Sequence, residues 1–209
     1  MTFDSQALAW TSLGVAGPFA LLITLCVARG WTHEIDRRLL AAARPTRMTG
    51  DDGKPTRLQT ALVDLAALGG DTLRVLFLLG CMVVLVAVGN RHDAVRLLLI
   101  FVSARLILYL FKAVTRRARP DLFEHGVVTY TTSFPSGHTF MATTLFLSSA
   151  VITTAQAGDA LQIATIGLAL TISAAIGWTR MVLAIHWPTD VLVGWLAGIA
   201  WASAWVILG

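Results

Sequence analysis

The sequence predicts an all-α, polytopic membrane protein of six transmembrane helices, with its chemically active side chains gathered at one membrane face. Three observations predict this. Of the 209 residues, 56% are hydrophobic and only 13% are charged, against about 25% charged in a soluble domain. Apolar runs near the ~20 residues needed to cross a ~30 Å hydrocarbon core recur along the chain. The polar, motif-like stretches between them fall on alternate connections, which puts them on one surface. No Gly/Ser-rich or Pro-rich linker divides the chain and no internal repeat is visible, so residues 1–209 are expected to form a single membrane-embedded domain.

The first span is the uncharged stretch Ser5–Ala28. It has no basic segment before it and no cleavage-like site after it, and so reads as a retained anchor. Residues 29–70 are basic, with Asp51-Asp52-Gly53 and Lys54-Pro55 as turn signals, and suit helical fragments lying at the membrane surface. A second span is expected at about 72–88, and the polar turn Asn90-Arg91-His92-Asp93 leads into a third at about 94–113. Polar, irregular sequence follows at 114–137. The fourth span is expected at about 138–157, the fifth at about 160–179 and the sixth at Pro188–Leu208. These runs are too long and too uniformly apolar for barrel strands, and lipid leaves no other way to satisfy the backbone. Cys26 and Cys81 lie within apolar runs and indicate neither a disulfide framework nor a metal site. The basic pI of about 9.7 comes from residues flanking apolar spans rather than from a long basic run, so nucleic acid is not an expected partner. No feature of the sequence sets an oligomeric state.

Three clusters carry chemistry. The first, Lys112 to Arg119-Pro120, has the pattern K-x6-R-P. If the third helix continues to the proline, Lys112, Arg116 and Arg119 share one face, with Arg105 and Tyr109 extending it inward. The second is Phe134-Pro135-Ser136-Gly137-His138-Thr139. Ser136 is a natural N-cap, Gly137 leaves room for a ligand at the backbone, and the unpaired N–H groups of a helix start form an anion site beside His138. The third, Arg180 through His186 to Asp190, has the pattern R-x5-H-x3-D. Pro188 suits the first turn of a helix, and Asp190 in that turn reaches back toward the His186 ring. A carboxylate on one imidazole nitrogen fixes the tautomer and makes the other nitrogen a better nucleophile. Three cations, a helix N-terminus, two histidines and a carboxylate on one membrane face suit a phosphate ester or anhydride, whose transition state spreads charge over the phosphoryl oxygens. No Asp/Glu/His cluster has metal-ligand spacing, so Lys112, Arg119 and Arg180 would take the place of a metal ion. Arg105, at membrane depth, is expected to pair with Asp71 or Asp64. Trp10, Trp31, Trp178, Trp187 and Trp195 read as an interfacial belt, with Trp187 also able to wall the site.

In that order, K-x6-R-P, P-S-G-H and R-x5-H-x3-D resemble the three signature motifs of the type 2 phosphatidic acid phosphatase superfamily, and the six-helix layout resembles its membrane lipid phosphatase branch. The motifs cover about 120–190 in detail, and the helices extend the resemblance to most of the chain. Thr179 departs from the serine that precedes the third-motif arginine in the family, but keeps the hydroxyl. The resemblance implies that His186 attacks phosphorus and becomes phosphohistidine. It implies that Asp190 orients His186, and that His138 protonates the leaving oxygen and then activates water. Lys112, Arg119, Arg180, Ser136 and Gly137 would bind the phosphoryl group, with no metal and no cofactor. The expected substrates are membrane lipid phosphates: undecaprenyl pyrophosphate, phosphatidylglycerol phosphate or phosphatidic acid. Headgroup contacts are expected from the 121–133 and 29–70 segments.

Most Lys and Arg fall on the side of the motifs. Counted literally, the positive-inside rule would put that side in the cytoplasm. The family places its site on the extracytoplasmic face of the cell (inner or plasma) membrane, and that is the orientation expected here. Two other functions fit less well. A lipid phosphotransferase would share the site, and a transporter would line a path with its charges near the midplane, whereas this chain places them at one surface.

Overall fold

The computed structural model describes residues 4–44, 48, 54–123 and 131–208. The Asp51-Asp52-Gly53 turn signal and residues 124–130 of the expected headgroup loop lie outside them. The described residues form helices α1 (Ser5–Ala28), α2 (His33–Ala43), α3 (Arg57–Ala67), α4 (Asp71–Ala87), α5 (Arg91–Thr115), α6 (Gly137–Thr153), α7 (Asp159–Val182) and α8 (Pro188–Leu208), with no β-strand among them. The fold is all-α and the chain is a multi-pass membrane protein.

Local chemistry sets several of the helix ends. Asp4 caps α1 by accepting from the Gln6 and Ala7 amides at 2.9 and 3.0 Å, and Asn90 caps α5 by accepting from the Asp93 amide. Pro188 occupies the first position of α8, where its missing N–H has no cost. The end of α7 turns sharply. Ala184 adopts φ +55°, its amide donates to the Met181 carbonyl, and the Ile185 amide donates to the Arg180 carbonyl. This is the Schellman arrangement, with alanine where glycine is the common choice. The left-handed turn costs about 1–2 kcal/mol for a residue with a Cβ, and it drops His186 directly beneath the end of α7.

Among the described residues four helices, α1, α5, α7 and α8, are long and apolar enough to cross a membrane, and the pair α3–α4, bent by 44° at its break, adds a fifth if it is counted as one span. Six full spans were expected. The run expected at 138–157 gives α6, which stops at Thr153 and has 17 residues. Almost all of α6 from Thr139 to Ile152 is buried, against α5, α7 and α8. A helix sheathed in protein does not need the full length of a lipid-exposed span. The helical fragments expected in the basic segment 29–70 are α2 and α3, and α3 joins α4 through Gly69-Gly70.

The contact between α6 and α8 is close enough to require glycine. A Cβ on Gly198 would lie 2.7 Å from Thr143 Cβ and 2.9 Å from the Phe140 carbonyl oxygen. One on Gly194 would lie 2.9 Å from Thr139 Cβ and 3.1 Å from the Ser136 carbonyl oxygen. Small residues four apart let membrane helices meet backbone to backbone. The same contact registers the two helix starts, where the Ser136 amide donates to the Asp190 carbonyl at 3.0 Å. The second and third sequence clusters are thereby locked side by side.

Candidate active site

Lys112, Arg119, Gly137, His138, Arg180 and His186 line one cavity of about 700 Å³. Lys112 comes from the last turn of α5, His138 from the first turn of α6 and Arg180 from the last turn of α7. Arg119 and His186 come from the connections before α6 and α8. Asp190 and Ser136 are fully buried and stand behind the wall.

His186 is held by its neighbours on both ring nitrogens. Its Nδ1 faces Asp190 Oδ2 at 3.6 Å and Ser133 Oγ at 3.5 Å. Its Nε2 lies 3.4 Å from Arg119 Nη1. Asp190 is itself fixed: Oδ2 accepts from the Trp187 amide at 2.9 Å and from Ser133 Oγ, and Oδ1 accepts from Arg117 Nη1 at 2.7 Å. With the carboxylate side taking Nδ1–H, the Nε2 lone pair is left toward the cations. Burial pushes the His186 imidazole down to about 4, outweighing the hydrogen bond and charge of Asp190, which pull it up. The ring is therefore neutral above that pH and protonated below it. Followed by NMR of the ring nitrogens, His186 is expected to titrate near pH 4. A midpoint near the ordinary 6.5 would contradict a buried, neutral imidazole.

The cations differ in how they are held. Lys112 Nζ donates to the Thr132 carbonyl at 2.7 Å. Arg119 donates to the Thr131 and Ile185 carbonyls at 3.0 and 2.9 Å. Arg180 is 7% exposed, and its Nε has no hydrogen-bond partner among the described residues. A buried guanidinium without a carboxylate is costly unless an anion completes it. Among the described residues no group of three or more His, Cys, Asp or Glu is placed to hold a metal ion.

Some expected details change. α5 ends at Thr115 and Arg116 takes φ +30°, so Arg119 leaves the helical face it was expected to share with Lys112, and Arg116 points away, exposed. Ser136 stands at the N-cap of α6 but makes no side-chain cap bond. Its hydroxyl accepts from Thr139 Oγ1 at 2.8 Å. The Thr179 hydroxyl donates to the Ile176 carbonyl at 2.7 Å. Arg105 pairs with Asp71 at 2.8 Å, as one of the two expected partners. Trp10, Trp31 and Trp178 are exposed. Trp187 and Trp195 instead point inward, with their indole N–H groups on the Ala118 and Ser173 carbonyls.

Three residues behind the site escaped sequence reasoning. Arg117 bridges two fully buried carboxylates, donating to Asp190 on one side and to Asp36 Oδ2 at 2.5 Å on the other. Asp36, from α2, also accepts from the Thr189 amide and hydroxyl at 2.9 and 2.7 Å. Ser133 completes the shell around Asp190. Gly69, at the break between α3 and α4, abuts His138: a Cβ there would lie 3.3 Å from His138 Cβ and Cδ2.

The chain matches the model of the PAP2 superfamily over residues 93–208. No curated protein matches it. Among solved structures it is similar to the first transmembrane PAP2-type phosphatidylglycerolphosphate phosphatase from Bacillus subtilis, with a TM-score of 0.83 at 21% identity, covering 93% of this chain and 94% of that one. It is also similar to LpxE from Aquifex aeolicus, with a TM-score of 0.59 at 21% identity, covering 81% of this chain and 93% of that one. The family match extends over more than half of the sequence, from the start of α5 to the end of α8. The chain belongs to the PAP2 superfamily and has the fold of its membrane-bound phosphatases.

Proposed function

We propose that this membrane phosphatase removes a phosphoryl group from a lipid phosphomonoester or diphosphate through a covalent phosphohistidine on His186, without a metal ion. The observation that carries the proposal is the setting of His186. Its Nδ1 is backed by a fixed, buried Asp190, and its Nε2 opens on a cavity where the buried Arg180 has its Nε unpaired among the described residues.

In the first step Nε2 bonds to phosphorus while the bond from phosphorus to the lipid oxygen breaks, and His138 gives its proton to that oxygen. In the second step water attacks phosphorus, the P–N bond breaks, and His138 takes the water proton. General acid–base help of this kind contributes ~10²–10⁴-fold. Asp190 stabilises the charge that His186 acquires on phosphorylation. Lys112, Arg119 and Arg180 meet the phosphoryl oxygens, the task a metal ion performs in other phosphoryl-transfer sites.

Similarity to a phosphatidylglycerolphosphate phosphatase supports a membrane lipid as substrate. The site is assigned to the extracytoplasmic face. Lys112, Arg117, Arg119 and Arg180 are held in the site or its supporting network, so they do not count as free topological charges. The test is phosphate release by purified protein in detergent, with EDTA present, across lipid monophosphates and diphosphates. Activity is expected to survive EDTA; strict dependence on Mg²⁺ would contradict the proposal.

A further inference from the structure

The catalytic cavity continues past the residues assigned above. Along α5, two turns or ~10 Å inward from Lys112, it reaches Arg105, and across from it on α4 stand Asp71 and Arg74. Arg74 is 3% exposed and donates from Nη1 to the Gly137 carbonyl at 3.1 Å, the residue before His138. Asp71 pairs with both Arg74 and Arg105. One carboxylate thus serves two guanidinium groups, and Arg74 Nε is buried with no partner among the described residues. Val102 and Leu106 continue the wall and are exposed on the outside of the bundle.

We propose that Arg74 and Arg105 form a second anion subsite, and that the physiological substrate is a lipid diphosphate whose inner, lipid-linked phosphate sits there. This rests on the phosphohistidine reading above. Position supports it first. His138 protonates the leaving oxygen, and Arg74 is anchored to the carbonyl next to His138, so the pair lies on the leaving-group side. For a diphosphate that leaving group is itself a phosphate: His186 Nε2 bonds to the outer phosphorus, the bond from that phosphorus to the bridging oxygen breaks, and the lipid departs as a monophosphate with the proton from His138.

Charge supports it second. Among the described residues the cavity wall carries Arg74, Arg105, Lys112, Arg119 and Arg180 against the one carboxylate of Asp71, an excess of four positive charges. A phosphomonoester brings roughly −1.5 to −2 at neutral pH, and a second phosphate adds roughly one more. The diphosphate compensates the wall more nearly, and at membrane depth uncompensated cations are unfavourable. The apolar surface of Val102 and Leu106 then gives the lipid chain a path from the inner phosphate toward the bilayer.

The experiment compares kcat/KM for an isoprenyl diphosphate and the matching isoprenyl monophosphate in detergent, for wild type, Arg105→Gln and Arg105→Lys. Arg105 is half-exposed, so its replacement spares the packed core. Wild type is expected to prefer the diphosphate at least tenfold. Arg105→Gln is expected to reduce that ratio at least tenfold, and Arg105→Lys to restore most of it. A wild type that prefers the monophosphate, or an Arg105→Gln that loses both activities in equal measure, would overturn the second subsite while leaving the phosphatase reading intact. A wild type that hydrolyses neither compound would overturn both.

Discussion

His186→Ala is expected to reduce phosphate release by at least ~10⁴-fold while leaving the protein folded, since removal of a covalent nucleophile from a cooperating set costs most of its rate enhancement. The size follows from the geometry. His186 Nε2 lies against Arg119, with Asp190 behind the same ring. His138→Ala is expected to cost less, because the nucleophile and the cations remain. Rates from purified, detergent-solubilised variants of matched thermal stability measure the difference. Full activity in His186→Ala would remove the proposed mechanism.

The second large effect is expected at Arg117, which lies outside the cavity wall. Asp36 and Asp190 are both fully buried, and Arg117 is the cation between them. Replacing it with alanine leaves two unpaired carboxylates in a low-dielectric setting. Breaking a buried ion pair by removing one partner costs about 3–5 kcal/mol, so the thermal midpoint of Arg117→Ala is expected to fall markedly. Catalysis should fall as well, by ~10²-fold in kcat, since Asp190 loses the contact that fixes its Oδ1 and a shift of about 1 Å in a catalytic group has that effect. KM should change little. A raised KM with kcat intact would mean that Arg117 binds the phosphoryl group directly. The same network gives α2 a task. Through Asp36 it braces Arg117 and Thr189, and so the start of α8, from the edge of the bundle.

What the sequence discloses and what it hides divide along physical lines. Apolar runs and local end signals were legible: α1 and α8 have the bounds their patterns indicate, and Pro188 starts α8 as its chemistry requires. The arginine run 116–119 shows the limit. Nothing local marks Arg116 as a left-handed turn, because it is neither glycine nor asparagine, and a regular helix through it would have put Arg117 on the wrong face. Asp36 lies 81 residues from Arg117 in sequence, and no spacing rule links a carboxylate in one surface helix to an arginine that distant. Trp187 and Trp195 look like their exposed counterparts until the fold turns their N–H groups inward. Gly69-Gly70 ends the basic segment, and its use, making room for His138, is visible only once α3, α6 and α7 are assembled. The three clusters are separate in sequence, and the cavity exists because Gly194 and Gly198 bring α8 against α6 and because the turn at Ala184 tucks His186 under α7.

The covalent bond to His186 can be trapped. Enzyme mixed for less than one turnover with a substrate labelled in its terminal phosphate, then quenched in alkali, is expected to carry label that is stable to base and released by acid, on the peptide containing His186. The label should be absent from His186→Ala. Full turnover with no labelled enzyme at any time, or label on another residue, would contradict the account.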